Sequence, residues 1–236
     1  MLHDGAVTRM TDYVLPAPAV PSLPVSGTAA RFPVRRIFCV GRNYAEHVRE
    51  MGHDPDAEPP FFFTKPADAL VISGSTIPYP PATADLHHEA ELVVAIGAEG
   101  SFISRQAAPD LVWGYAAGND LTRRDLQAAA KAARRPWDMA KAFDRSAVVG
   151  PIRPASAGAP QGRIRCTVDG RVTQDANLSD MIWDVPGIIA HLSGLITLQP
   201  GDLIFTGTPA GVGPVGRGQT CEVSIDGLAP ATVSVT

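Results

Sequence analysis

Short apolar runs, bounded by glycine and proline, set the rhythm of this chain. Residues 34–40 (Val-Arg-Arg-Ile-Phe-Cys-Val) read as a strand that Gly41-Arg42-Asn43 breaks. Residues 90–97 and 111–117 are compact apolar runs of strand length, and 203–206, 221–225 and 232–235 read as further strands. Residues 164–172 read as a hairpin, with Asp169-Gly170 supplying a type I′ turn. Helical patterning is sparser. It covers residues 44–51, residues 122–133 with their Ala, Leu, Gln and Arg, and residues 185–192, where Pro186 is tolerated in the first turn. No internal repeat is present. The pattern predicts a strand-dominated α+β domain with few helices.

Composition supports many short elements, because 22 glycines and 22 prolines resist long helices. The Pro- and Ala-rich residues 1–33 read as an extended arm that packs on the body or on a partner subunit, and 34–236 as a single catalytic domain. A net charge of −4 without a basic run argues against nucleic-acid binding. No stretch approaches the roughly 18 apolar residues of a membrane span, and no signal peptide is evident. Cys39, Cys166 and Cys221 are scattered and odd in number, which predicts reduced core residues and a cytoplasmic setting. Trp113, Trp137 and Trp183 likewise read as core.

Chemistry concentrates in His87-His88-Glu89-Ala90-Glu91. Residues two apart on a strand share a face, so Glu89 and Glu91 project together while Ala90 points into packing. Adjacent carboxylates repel and need a proton, a cation or water. Either a divalent cation sits there or the pair is a solvated strand end. Asp120, after the apolar run that ends at Gly118-Asn119, is either a third acidic ligand or the N-cap of the next helix. Oxygen ligands favour Mg²⁺, Mn²⁺ or Ca²⁺. His87 and His88 would face opposite sides of a strand, which argues against zinc. On the helix after Gly41, His47 and Glu50 lie three apart and share a face. That pairing suits either a general base on a hinged lid or an ordinary surface pair. Arg42 is either a contact for a substrate carboxylate or a surface arginine.

Six motifs in order carry a family resemblance from about Arg35 onward: residues 40–44 (Val-Gly-Arg-Asn-Tyr), Lys65-Pro66, residues 87–92 (His-His-Glu-Ala-Glu-Leu), residues 118–127 (Gly-Asn-Asp-Leu-Thr-Arg-Arg-Asp-Leu-Gln), residues 136–141 (Pro-Trp-Asp-Met-Ala-Lys) and residues 201–209 (Gly-Asp-Leu-Ile-Phe-Thr-Gly-Thr-Pro). The chain resembles the fumarylacetoacetate hydrolase superfamily, near its acylpyruvase and fumarylpyruvate hydrolase branch. The resemblance implies a mixed β-sandwich roll, usually a homodimer. It implies that Glu89, Glu91 and Asp120 ligate Mg²⁺ or Mn²⁺, that His47 and Glu50 activate water, and that Lys141 is an active-site lysine. Arg124, Gln127, Gly207 and Thr208 fall on substrate-contacting positions. The expected reaction is hydrolysis of a carbon–carbon bond in an acylpyruvate, favouring fumarylpyruvate. Decarboxylation of oxaloacetate or a related 2-oxo diacid, isomerisation, and a non-catalytic ligand-binding role are the alternatives.

Overall fold

The computed structural model describes residues 13–50 and 59–236, apart from the side chains of Val48 and Glu50. Its backbone is a mixed sheet of eight strands facing a second sheet of five. In the larger sheet the strands run in the order Phe61–Lys65, Arg36–Gly41, Asp202–Phe205, Ala90–Ile96, Val112–Asp120, Ala147–Val149 and Leu70–Ile72, with Arg153–Pro154 beside the long central strand. Two of its pairings are parallel and the others antiparallel. The smaller sheet orders Arg171–Asn177, Arg163–Val168, Thr220–Ile225, Ala231–Val235 and Ser75–Ile77. This is the strand-dominated roll that the sequence predicts.

The strand Ala90–Ile96 explains how the layers are held. Its seven residues are all buried. Leu92, Val94 and Ile96 enter one core with Ile164, Cys166, Val223 and Val233 of the smaller sheet. Val93 and Ala95, on the opposite face, enter a second core with Ile37, Cys39, Ala116, Leu203 and Phe205. A strand covered on both faces must read as an unbroken apolar run, and this one does. Leu23 and Val25, with Phe32 from the paired strands Ser22–Pro24 and Arg31–Pro33, close the second core from outside.

Several expected boundaries move. The strand predicted to end at 117 continues to Asp120, because Gly118, Asn119 and Asp120 pair with Ala147–Val149 and the first two also with Ala90 and Glu91. The helix expected from 122 begins at Arg124, since Thr122–Arg123 is a short strand against Leu86–His88. Asp120 is therefore not its N-cap; that position is Arg123, with no side-chain cap. The helix is tied instead by Asp125, whose carboxylate accepts from the Thr83 hydroxyl (2.6 Å) and the Ala84 N–H (3.0 Å). Asp169 and Gly170 both have positive φ, 50° and 78°, as a type I′ turn requires. The cysteines are buried and free, but Cys166 and Cys221 meet on neighbouring strands with 3.4 Å between sulfurs. Among the described residues no helix is long and apolar enough to cross a membrane.

Candidate active site

The site forms where the apolar rows of the second core end. Along the strand Ala90–Ile96, Ala95 and Val93 fill that core and the next residue on their face is Glu91. Along Val112–Asp120, Ala116 and Gly118 lead on the same alternation to Asp120. Along Phe61–Lys65, Lys65 shares a face with Phe63. Glu89 sits at the break between the strands Leu86–His88 and Ala90–Ile96. The break is held from both sides: the Glu89 N–H donates to Asn119 Oδ1 (3.0 Å), and the Glu89 carbonyl accepts the Asp120 N–H (2.9 Å). Ala90, between the two glutamates, enters the first core as expected.

The carboxylates of Glu89, Glu91 and Asp120 lie within 4.8 Å of one another, and all three residues are buried. Three cationic side chains face them. Lys141 Nζ donates to Glu89 Oε2 (2.7 Å) and Asp120 Oδ2 (2.8 Å). Lys65 Nζ pairs with Asp120 Oδ1 (2.7 Å) and donates to the carbonyls of Leu121 (3.0 Å) and Lys141. Arg124 bridges Glu89 Oε1 and the side-chain oxygen Oε1 of Gln127, donating to both. Read alone, Lys141 would be a surface lysine; here it is 2% exposed, at the end of the short helix Asp138–Lys141.

The two glutamates differ electrostatically. Burial would raise the Glu89 carboxyl, but Lys141, Arg124 and His47 outweigh it and hold Glu89 well below the usual carboxylate range. Burial, with Asp120 and Glu89 close by, pushes Glu91 well above that range, against Lys141 and the Gly207 N–H that donates to it at 2.7 Å. Burial lowers Lys141, but Asp120 and Glu89 more than restore it, so its ammonium is held more firmly than usual. A buried, all-oxygen cluster in which one carboxyl keeps its proton is a donor set suited to a divalent cation, which would take that proton's place. Among the described residues no histidine joins the cluster. His88 Nδ1 instead meets Gln174 Oε1 (2.9 Å) and His87 Nε2 meets Asp85 (2.9 Å).

Above the cluster opens a cleft with about 420 Å³ of empty space. Arg42, His47, Arg124, Gln127 and Thr208 line it together with Glu89, Glu91 and Lys141. His47, 7% exposed, comes from the helix Ala45–Glu50. The Glu50 side chain expected beside it, and the end of the predicted helix at Met51, lie outside the described residues. Arg42 adopts a left-handed φ of 60° at the cleft rim. Gly41 ends its strand for a steric reason: a Cβ there would sit 2.1 Å from the Phe61 ring. Gly207 has φ +93°, and a Cβ on it would meet Asn43 Cβ at 2.7 Å, so only glycine presents its N–H to Glu91 in this way.

Four features escaped the sequence reading. Lys65 stood in a motif without an assigned task. Gln174, 1% exposed on the far hairpin, accepts from the Ala90 N–H (3.0 Å) and donates to Thr208 Oγ1 (2.7 Å) and the Pro209 carbonyl (2.8 Å), clamping two sides of the site. Lys131 lines the cleft one turn beyond Gln127, a spacing visible in the sequence. Trp137 lines the cleft rather than the core, because its ring meets Phe61 and Phe63 edge-on at 5.3 and 5.9 Å. Trp113 is 36% exposed against Phe32, while Trp183 packs on the main core.

A mixed β-roll with a carboxylate triad, paired lysines and a cleft histidine is the frame of a known group of enzymes. Residues 36–236 match the family model "Fumarylacetoacetate (FAA) hydrolase C-terminal". The chain belongs to that family. It is similar to a fumarylpyruvate hydrolase of Ralstonia sp (45% identical over 183 residues, covering 77% of this chain and 95% of the relative). It is also similar to a mitochondrial oxaloacetate decarboxylase of Dictyostelium discoideum (42% over 203 residues, 82% and 90%). Among solved structures it resembles the fumarylpyruvate hydrolase of Pseudomonas aeruginosa in complex with Mn²⁺ and pyruvate (TM-score 0.92, 50% identity, 95% of this chain and 99% of that one).

Proposed function

We propose that this protein hydrolyses a carbon–carbon bond in an acylpyruvate, with fumarylpyruvate cleaved to fumarate and pyruvate as the favoured reaction. The observation that carries this reading is the convergence of a buried carboxylate triad and His47 on one cleft. Glu89, Glu91 and Asp120 would hold Mn²⁺ or Mg²⁺, which when bound supplies Lewis-acid polarisation and charge for the 2-oxo acid end of the substrate. Once the cation has displaced the Glu91 proton, three ionised carboxylates would be balanced by Lys65, Lys141 and Arg124. A divalent cation therefore leaves the site with a double positive charge, which an anionic substrate of the 2-oxo acid class would offset.

In the proposed reaction His47 takes a proton from a water that attacks the distal acyl carbonyl, with Glu50 orienting the imidazole. The bond between that carbon and the pyruvate methylene then breaks, its electron pair leaving as pyruvate enolate. Lys141, kept protonated by two carboxylates, is a fixed positive charge close to where this negative charge develops. Protonation of the enolate gives pyruvate, and the acyl group leaves as a carboxylic acid. Arg124, Gln127 and Thr208 line the cleft as contacts for the bound acid.

The similarity to an oxaloacetate decarboxylase supports a second reading, in which a 2-oxo diacid loses CO₂ through the same enolate. Decarboxylation needs no activated water, so His47 separates the two. The test is product release from fumarylpyruvate, acetylpyruvate and oxaloacetate with Mn²⁺ or Mg²⁺, for the natural chain and for His47→Ala. We expect hydrolysis to vanish in the variant while any CO₂ release persists. Equal loss of both would refute the role given to His47. Turnover of oxaloacetate alone by the natural chain would establish the second reading.

A further inference from the structure

We propose that Lys131 is a specificity-determining residue whose ammonium takes the terminal carboxylate of a dicarboxylic substrate, opposite the end held at the acidic cluster. The placement of the 2-oxo acid end rests on the function proposed above. Arg124, Gln127 and Lys131 stand at positions i, i+3 and i+7 of the helix Arg124–Ala132, on one face, and all three line the cleft. The first two are bonded to each other, and Arg124 also to Glu89. Lys131 lies about 6 Å further along the helix axis than Gln127, at a rise of about 1.5 Å per residue. Among the described residues its side chain makes no hydrogen bond or ion pair, and its Nζ sits 5.3 Å from the Trp137 ring centroid. Across the same aromatic wall, the Arg42 guanidinium lies 5.5 Å from the Phe61 ring centroid. The outer cleft is thus a slot with cations at its edge and the flat rings of Phe61, Phe63 and Trp137 along its side.

The electrostatics of that slot favour an incoming anion. Burial, with Arg124 and Arg42 nearby, lowers Lys131 from the ordinary lysine value. Glu89 offsets only part of this, so the half-buried ammonium gains when further negative charge is placed beside it. A second substrate carboxylate supplies that charge, and an extended unsaturated acyl chain fits against ring faces. A neutral acyl group such as acetyl would reach neither the charge nor most of the wall.

The test uses a ligand pair that differs only in the terminal carboxylate and contains no bond for the enzyme to hydrolyse, 2-oxoheptanedioate and 2-oxoheptanoate. Calorimetric titration into the Mn²⁺-loaded protein should show the diacid binding about tenfold or more tightly, the size of one charge-assisted contact. Lys131→Gln should remove most of that ratio and Lys131→Arg should keep it. Arg171→Gln, which deletes the same charge from the exposed hairpin, should keep it too. Equal ratios in the natural chain and Lys131→Gln, or no preference in the natural chain, would overturn the proposal, as would loss of the ratio in Arg171→Gln. In parallel kinetics, the preference for fumarylpyruvate over acetylpyruvate in kcat/KM should fall about tenfold in Lys131→Gln. If the natural chain cleaves neither acylpyruvate while the binding ratios behave as stated, the hydrolytic reading fails and the carboxylate subsite stands. Normal cleavage with a ratio insensitive to Lys131 is the opposite result.

Discussion

The floor and the wall of the cleft are built on different terms. The floor carries Glu89, Glu91, Asp120 and Lys65 on or beside strands buried between two cores, and each charged group there faces at least one partner. The wall carries His47 on the helix that begins at Ala45. The start of that helix is anchored by Asn43, fully buried just before it. Its amide donates to the carbonyls of Trp183 (2.8 Å) and Thr206 (2.7 Å), and its oxygen accepts the Trp183 N–H (2.7 Å). The floor is tied by charge pairs between buried side chains, and the start of the wall's helix by the hydrogen bonds of one buried amide. On the proposed chemistry this split has a purpose: the floor serves any reaction through an enolate, and the wall decides whether water takes part.

The largest effect should come from the floor. Asp120→Ala leaves Lys65 and Lys141 buried without their shared partner, which should cost about 3–5 kcal/mol in a urea melt. It should also abolish Mn²⁺ binding by calorimetry and drive pyruvate release and CO₂ release together to background. Retention of either activity would break the idea of one shared floor. Next comes the wall. His47→Ala should lower hydrolysis by about 10²–10⁴-fold, the range for a general base, with Mn²⁺ affinity unchanged. A loss of metal affinity in that variant would show that floor and wall are not separable.

The same division governs what the sequence could tell. Glu89, Glu91 and Asp120 were legible because strand alternation and a family motif point to the same residues, and the apolar run after Ala90 announces a strand covered on both faces. The extension of the long strand through Gly118-Asn119-Asp120 was not legible. Polar residues end strands in local patterns, and pairing with strands distant in sequence, Ala147–Val149 on one side and Ala90–Glu91 on the other, keeps these in the sheet. Gln174 was invisible for a related reason: nothing near it in sequence is catalytic, and its partners lie 34 to 86 residues away. Trp137 was misplaced because composition cannot distinguish an aromatic that fills a core from one that walls a cleft. Charge pairing was underestimated as well. Lys141 was expected as an active-site lysine and Arg124 as a substrate contact, and both, together with Lys65, pair with the carboxylates.

Within the floor, the two glutamates give a pH test. Glu89 is held low and stays ionised, whereas Glu91 is raised and keeps its proton above the ordinary value of 4.5. In the metal-free protein the fold binds that proton more tightly than the unfolded chain does. Its contribution is thus lost as pH rises from about 4.5 through the raised value, and metal-free stability should decline over that window. A cation must displace the same proton. Apparent Mn²⁺ affinity should therefore increase with pH by up to about tenfold per unit until Glu91 ionises, then level off. Glu91→Gln should flatten the slope while weakening binding, and an unchanged slope would assign the proton elsewhere.

The smallest expected effects come from the two buried amides that hold each region in place, and they sharpen the comparison most. Asn43→Ala removes the anchor of the His47 helix and strands the Trp183 N–H and two carbonyls, which should cost about 1–3 kcal/mol of stability. Asn43 also holds the Thr206 carbonyl, in the same peptide unit as the Gly207 N–H that meets Glu91, so Mn²⁺ affinity should weaken slightly while kcat for hydrolysis falls by the larger factor, several-fold. Gln174→Ala should cost a similar amount of stability with the opposite functional pattern. Gln174 ties the Ala90 N–H, beside Glu89, to Thr208 and Pro209, so its loss loosens the break that presents Glu89 and the loop whose Gly207 N–H meets Glu91. Weaker Mn²⁺ binding and equal reductions in hydrolysis and decarboxylation should follow. If both amide variants instead shifted metal affinity and hydrolysis in parallel, the cleft would behave as one cooperative unit. Selectivity between water attack and CO₂ loss could then not reside in the wall alone.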